Sequence, residues 1–300
     1  MGSRPLCTGA SVGPALPVLL SGLLHRVLRC EGDELEAEAR ITPEQLFMDT
    51  LGAVTPVGGD AHGFLGVAFF YRQRLADAFH QAGFTGSPGE AFAGGTRNGD
   101  PSPSTAYGVF IGIQTAVKHR LGRDDLHGLK VAIQGVGQVG FDLARQLKAA
   151  GAELWVTDIV EANVRRAVEQ LGATAVTQQA IFGLDVDVFA PCAMGGIINQ
   201  QTLEALRAPI IAGAANNQLA DASLAETLRR NECLYAPDYA INAGGIIDVY
   251  YGRSGGSAAQ LKAHIEGIGA TLEQIFQRAD AASKTTVEIA DQLAEERFGR

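Results

Sequence analysis

The sequence predicts an α/β chain built on a doubly wound parallel sheet, preceded by a smaller, atypical or poorly formed N-terminal domain. Three observations predict it. From Asp100 onward, short apolar runs alternate with stretches whose apolar residues recur every three or four positions, the pattern of strands joined by crossover helices. A glycine-rich segment, Gly135-Val136-Gly137-Gln138-Val139-Gly140, lies between the first such strand and the helix after it. Before residue 99 the chain is rich in Gly, Ala and Arg and weakly periodic, and no lysine occurs until Lys118. The chain therefore divides into an atypical region at 1–98, a sheet domain with its entry helix at 99–260, and C-terminal helices at 261–300 that pack back on the first domain.

Ser102-Pro103-Ser104-Thr105 reads as a helix start, with hydroxyl caps and proline in the first turn, and leads into a helix over Ala106–Leu121. Lys130–Gln134 is a short buried strand, and a helix runs from about Val139 to Ala150. Glu153–Thr157 reads as strand and Glu161–Leu171 as helix. Val186–Pro191, Pro209–Ala212 and Cys233–Ala236 supply further strands, with helices at Gln201–Leu206 and Leu219–Asn231 between them. Ala258–Asp280 and Thr285–Arg297 close the chain as amphipathic helices.

Composition narrows the partners. Of 300 residues, 46% are hydrophobic, ample for two cores, and 24 basic residues against 33 acidic give a net charge of -9. That balance argues against a nucleic-acid groove or an anionic membrane surface and favours a small-molecule ligand. The four cysteines Cys7, Cys30, Cys192 and Cys233 form no C-x-x-C pair, and the histidines lack metal-ligand spacing, so reduced thiols and no structural metal are expected. Cys192 reads as a buried packing residue. The apolar run Ala10–Leu24 is broken by Pro14 and Pro17 and lacks a cleavage signature, and no run is long enough to span a bilayer, which leaves a cytoplasmic protein as the expectation.

The glycines carry the chemistry. Gly135 permits a tight turn, Gly137 removes the side chain that would collide with a diphosphate, and Gly140 lets the helix approach the strand. The start of the helix that follows Val136, with Gln138 and Val139, then offers free N–H groups and a positive partial charge to the phosphates. About twenty residues on, Asp158, followed by Ile159, stands where a carboxylate accepts bonds from the adenosine ribose of a dinucleotide. Strand, glycines, helix and acid in register make this a Rossmann-type dinucleotide-binding domain. Asp158 disfavours a 2′-phosphate, so NAD is expected over NADP, and Arg165 and Arg166 read as a solvated helix face.

Five runs resemble a known family. They are Gly99–Val109 (GDPSPSTAYGV), the glycine turn itself, Ala190–Asn199 (APCAMGGIIN), Ala212–Leu219 (AGAANNQL) and Tyr235–Gly245 (YAPDYAINAGG). Residues from about Gly99 to Arg297 are similar in these to the glutamate, leucine, phenylalanine and valine dehydrogenases, and most closely to the leucine dehydrogenase branch. The resemblance implies oxidative deamination of an L-amino acid to a 2-oxo acid with NAD, a homo-oligomer, and residues 1–98 as a remnant or replacement of the substrate and dimerisation domain. It places Thr105 at the nicotinamide carboxamide, Cys192, Ala193 and Asn217 along the dinucleotide groove, and Asn242 at the substrate. Ile246 and Val249 match positions that shape side-chain preference, and their apolar character suits a small aliphatic substrate such as leucine or valine.

The resemblance also implies two catalytic lysines from the first domain, near a G-G-G-K segment. Gly58-Gly59-Asp60 and Gly94-Gly95-Thr96 are glycine pairs without that lysine. Arg72 and Arg74 could grip a carboxylate but stay protonated, and Lys118 and Lys130 read as solvated side chains, so no catalytic base is assigned. Either residues 1–97 stand outside the family's usual reading frame, or the domain has diverged. The alternative function is an inactive NAD-binding regulatory or assembly module.

Overall fold

A computed structural model of the chain describes residues 100–254 and 256–298. Helix α1 (Ser102–Leu121) opens where Asp100 Oδ1 accepts the Ser102 N–H at 2.9 Å, and it closes at Gly122, whose left-handed φ of 66° lets its N–H reach Lys118 O. The order continues β1 (Lys130–Gln134), α2 (Gln138–Ala149), β2 (Glu153–Thr157), α3 (Glu161–Leu171), β3 (Thr174–Ala175), a 3-10 turn (Ala180–Gly183), β4 (Val188–Pro191), α4 (Gln200–Ala205), β5 (Ile210–Ile211), α5 (Leu224–Arg230), β6 (Leu234–Tyr235), α6 (Asp238–Ile241), α7 (Gly244–Ser254), α8 (Ala258–Ala282) and α9 (Thr286–Phe298).

Among the described residues the strands form one parallel sheet in the order β3-β2-β1-β4-β5-β6. This is the doubly wound arrangement, whose direction of growth reverses between β1 and β4. Alternate residues of each strand face opposite layers. Val131, Ile133, Val188, Ala190, Ile210 and Leu234 point into the core with α1, α2 and α8. Ala132, Phe189, Ile211 and Tyr235 point into a second core with the 3-10 turn, α4 and α5. Burial on both faces explains why the strands read as continuous apolar runs.

Several boundaries differ from the sequence expectation, each for a local reason. Strands expected over Pro209–Ala212 and Cys233–Ala236 pair only at Ile210–Ile211 and Leu234–Tyr235, although Ala212 and Ala236 still donate to Phe189 O and Ile211 O before the chain turns. The helix expected from Leu219 begins at Leu224, because Asp221 Oδ1 accepts the Ser223 N–H at 2.8 Å and holds a turn instead. β3, α6 and α7 carried no periodic signal. The proposed division at 260 falls in the first turn of α8, a helix that packs lengthwise on α1. Its contact with residues 1–98 lies outside the described residues, as do Cys7, Cys30, Ala10–Leu24, both N-terminal glycine pairs, Arg72 and Arg74.

Candidate functional site

The crevice beyond the carboxyl ends of β1 and β4 is where such a sheet presents ligands, and the glycine turn fills its first edge. Gly135 adopts φ 91°, where a side chain would also press within 2.6 Å of Ala193 Cβ. A Cβ on Gly140 would overlap the Gly135 carbonyl oxygen, so only glycine brings α2 this close to the turn. Gly137 differs: a Cβ there meets nothing within 4 Å. Gly137 caps α2 without any side-chain cap bond or first-turn acid, so among the described residues the amides of Gln138, Val139 and Gly140 stand at a helix start with no capping side chain. Asp158 Oδ2 accepts the Val136 N–H and its Oδ1 the Val160 N–H, each at 2.8 Å, fixing the carboxylate beside the turn with lone pairs to spare. Ile159, next to it, is 81% exposed.

The turns after β4 and β5 continue this edge. Cys192 N–H donates to Gln134 O, which ties the second turn to β1. Burial pushes the Cys192 thiol up to about 12, so it stays a neutral packing group. Ala193 is exposed against Gly135, and Gly196 N–H donates to Asn217 O at 2.7 Å. Asn217 holds a left-handed φ of 50°, and its N–H is anchored at 2.6 Å by Asp238 Oδ2, a carboxylate whose Oδ1 also accepts from Tyr235 Oη.

A third group closes the strip from the side. Asn242 is buried; its Nδ2 donates to Ala214 O at 2.8 Å and to Asn216 Oδ1 at 3.0 Å, while its Oδ1 has no partner among the described residues. Helix α7 follows directly and lies against the start of α1: a Cβ on Gly244 or Gly245 would strike Ser104 O or Thr105 Oγ1. Ser104 Oγ donates to the buried Asp248 at 2.6 Å across the same contact. Thr105, Asn242 and α7, which carries Ile246 and Val249 three residues apart on one side, therefore come together. Both apolar side chains are half-buried.

Residues 156–296 match the family model described as Glutamate/Leucine/Phenylalanine/Valine dehydrogenase. Leucine dehydrogenase of Geobacillus stearothermophilus is 46% identical over 201 residues, 67% of this chain and 55% of that one. The stretch after residue 99 belongs to the glutamate/leucine/phenylalanine/valine dehydrogenase family. Phenylalanine dehydrogenase of Caldalkalibacillus thermarum is 38% identical over 229 residues, 75% of this chain and 61% of that one. The crystal structure of L-tryptophan dehydrogenase from Nostoc punctiforme superposes with a TM-score of 0.65 at 44% identity, covering 66% of this chain and 60% of that one. The chain thus spans a little over half the length of the curated relatives it matches.

The two arginines of α3 differ in their surroundings. Arg165 lies on a solvated face, paired with Glu161, as expected. Arg166 does not: it is half-buried, donates from Nη2 to Val136 O and Gly137 O at 3.1 and 3.3 Å, and stacks 3.9 Å from the Phe141 ring centroid. The difference arises because the turn exposes two carbonyls on the α3 side, and one nitrogen at the end of the long Arg166 side chain reaches both. Sequence reasoning also passed over Asp238 and Asp248; an acid immediately after the β6 strand was the available signal for the first.

All five lysines of the chain fall within the described residues, and none enters the strip as a buried amine. Lys118 pairs with Asp124 at 2.9 Å and is raised above its ordinary value by that partner. Lys262 pairs with Glu266. Lys130 begins β1, at the sheet edge opposite the turns, and Lys148 ends α2. Lys284 lines a cavity of about 290 Å³ between the C-terminal ends of α1, α5 and α8, remote from the glycine turn, where Arg229 is already paired with Glu226 and His119 with Asp280. Among the described residues no His/Cys/Asp/Glu group fit to hold a metal occurs, and no helix is long and apolar enough to cross a membrane.

Proposed function

We propose that residues 99–297 are the NAD-binding half of an amino-acid dehydrogenase that oxidises a small aliphatic L-amino acid to its 2-oxo acid. One observation carries the reading: of the glycines in the turn, Gly135 and Gly140 are packed against neighbouring atoms, whereas Gly137 faces empty space beside unsatisfied helix-start amides. That is a cradle for a diphosphate. NAD would supply the hydride acceptor.

In this reading the Gly135–Gly140 turn binds the diphosphate through the amides of Gly137, Gln138, Val139 and Gly140, while the Gly135 and Val136 N–H groups donate to Thr157 O and Asp158 Oδ2 and shape the turn; Asp158 takes the ribose hydroxyls, and the exposed Ile159 covers the adenine. Thr105 orients the nicotinamide carboxamide, with Cys192, Ala193 and Asn217 along the groove between. The buried Asn242 Oδ1, without a partner among the described residues, accepts from the substrate's ammonium group. Ile246 and Val249 give the side-chain pocket an apolar wall that rewards methylene burial and rejects a charge. The relatives compared bear names for leucine, phenylalanine and tryptophan, so these two residues, not overall similarity, argue for an aliphatic substrate. Assembly of copies into a homo-oligomer belongs to the same proposal.

A second reading, a module that binds NAD without turnover, is favoured by the lysines. The proposed chemistry needs a base of depressed pKa, and none of the five lysines is placed to be one. Titrating the purified chain with NADH by fluorescence, alongside NADH formation from a panel of L-amino acids, separates the two. Binding with turnover on leucine or valine supports the dehydrogenase, binding alone supports the module, and absence of binding refutes both.

A further inference from the structure

We infer that Arg166 is a positioning residue for the diphosphate, holding the glycine turn in its ligand-accepting shape; the inference rests on the dinucleotide reading above. The Val136 residue is gripped at both ends. Its N–H goes to Asp158 Oδ2 at 2.8 Å and its carbonyl accepts from Arg166 Nη2 at 3.1 Å, and the same nitrogen reaches Gly137 O at 3.3 Å. In a trans peptide the N–H points opposite to the C=O of the same unit. Turning the Val136 and Gly137 carbonyls toward Arg166 therefore turns the Gly137 and Gln138 amides away from it, and a Cβ on Gly137 would meet nothing within 4 Å among the described residues.

The charge sign points the same way. A cation at a helix start opposes the helix dipole and gains nothing for the isolated fold, whereas a diphosphate seated there is attracted by both. Among the described residues Arg166 has no carboxylate within ion-pair distance, unlike its neighbour Arg165, and its buried Nε lacks a partner. Its support comes from two carbonyls and the face of Phe141, neither of which neutralises it. Among the described residues the guanidinium has no ion-pair partner behind the turn.

The test uses the full chain and two probes, NADH and inorganic pyrophosphate, with R166M, R166K and the exposed control R165M. Expected is an NADH dissociation constant raised about tenfold or more in R166M, an intermediate rise in R166K, which keeps the charge but not the fork, and a change under about twofold in R165M. In amide NMR spectra, pyrophosphate shifts the Gly137 and Gln138 resonances of the wild type and leaves those of R166M in place, a signature that general loosening of the fold does not produce. R166M with wild-type affinity overturns the inference; should R166M fail to fold, R166K with wild-type affinity and wild-type pyrophosphate shifts does so. A wild-type chain that binds neither probe refutes the dinucleotide reading itself, and the inference falls with it.

Discussion

Replacing Gly137 and Gly140 by alanine, one at a time, separates the ligand-facing position of the turn from the packed one. At Gly140 the new methyl overlaps the Gly135 carbonyl oxygen, sits 2.9 Å from the Gly135 carbonyl carbon and 3.2 Å from Cys192 Cβ. Two of these three atoms are backbone, so no rotamer change relieves them and α2 must shift. Overpacking against such surroundings costs about 3 kcal/mol. At about 2–4 °C per kcal/mol for a domain of this size, the melting temperature falls by about 6–12 °C. At Gly137 nothing lies within 4 Å, and the backbone sits at φ -66°, ψ -146°, at the margin of what alanine accepts. Strain of about 1 kcal/mol is offset by roughly 0.4–1 kcal/mol of lost unfolded-state freedom, so the melting temperature moves by less than about 3 °C. The NADH titration then reverses the ranking for fold: the stable G137A chain loses at least about tenfold in affinity, since its methyl enters the diphosphate space. The reasoning is refuted if G137A binds NADH as the wild type does, or if G140A melts with the wild type.

Three further outcomes follow from single contacts. Asn242→Ala strands Ala214 O and Asn216 Oδ1 but also removes the partnerless buried Oδ1, so the net cost is about 1 kcal/mol, read as a melting shift of about 2–4 °C, while an amino-acid KM, where turnover is seen, rises well beyond that proportion. Glu226, held down to about 2 from its ordinary 4.5 first by Arg229 and then by Arg230, binds fewer protons folded than unfolded; its stabilisation is present above about 4.5 and lost as pH falls toward 2, and E226Q flattens that part of the stability profile in acid melts. Cys192 and Cys233, both pushed up to about 12 by burial, stay unmodified by iodoacetamide at pH 8 until denaturant is added, as peptide mass spectrometry will show; labelling of Cys192 in the folded chain contradicts the packed turn.

What the sequence made legible depended on how local the cause was. β1, β2 and α3 fall where the pattern placed them, because burial on both faces and a glycine-ended helix with φ 63° at Gly172 are written in consecutive residues. The glycine turn was readable for the same reason: Gly135 and Gly140, at fixed spacing, each answer a steric demand set by nearby residues. α7 was not, since Asn242 to Gly245 looks like a loop until the α1 backbone is placed against it and leaves room only for glycine. Arg166 was misread because two arginines in a row on a polar helix give no hint that one faces a pair of carbonyls from a turn 30 residues earlier. Asp238 is similar: its hold on Asn217 spans 21 residues and two turns that only the sheet order brings side by side.

The strip formed by these turns has a definite chemical character. It offers helix-start amides, amide and hydroxyl side chains, apolar faces and one carboxylate at its rim, all suited to recognising a dinucleotide and a small polar-headed substrate. Among the described residues it holds no group shown to exchange a proton near neutral pH: Cys192 is held near 12, and neither Thr105 nor Asn242 titrates in that range. Recognition and proton transfer are therefore separable in this chain. On the proposed reading the described residues supply the first, and any amine serving the second would have to come from beyond the chain's five lysines. For that reason NADH affinity and turnover are independent observables here, and a substitution in the glycine turn moves the first whether or not the second exists.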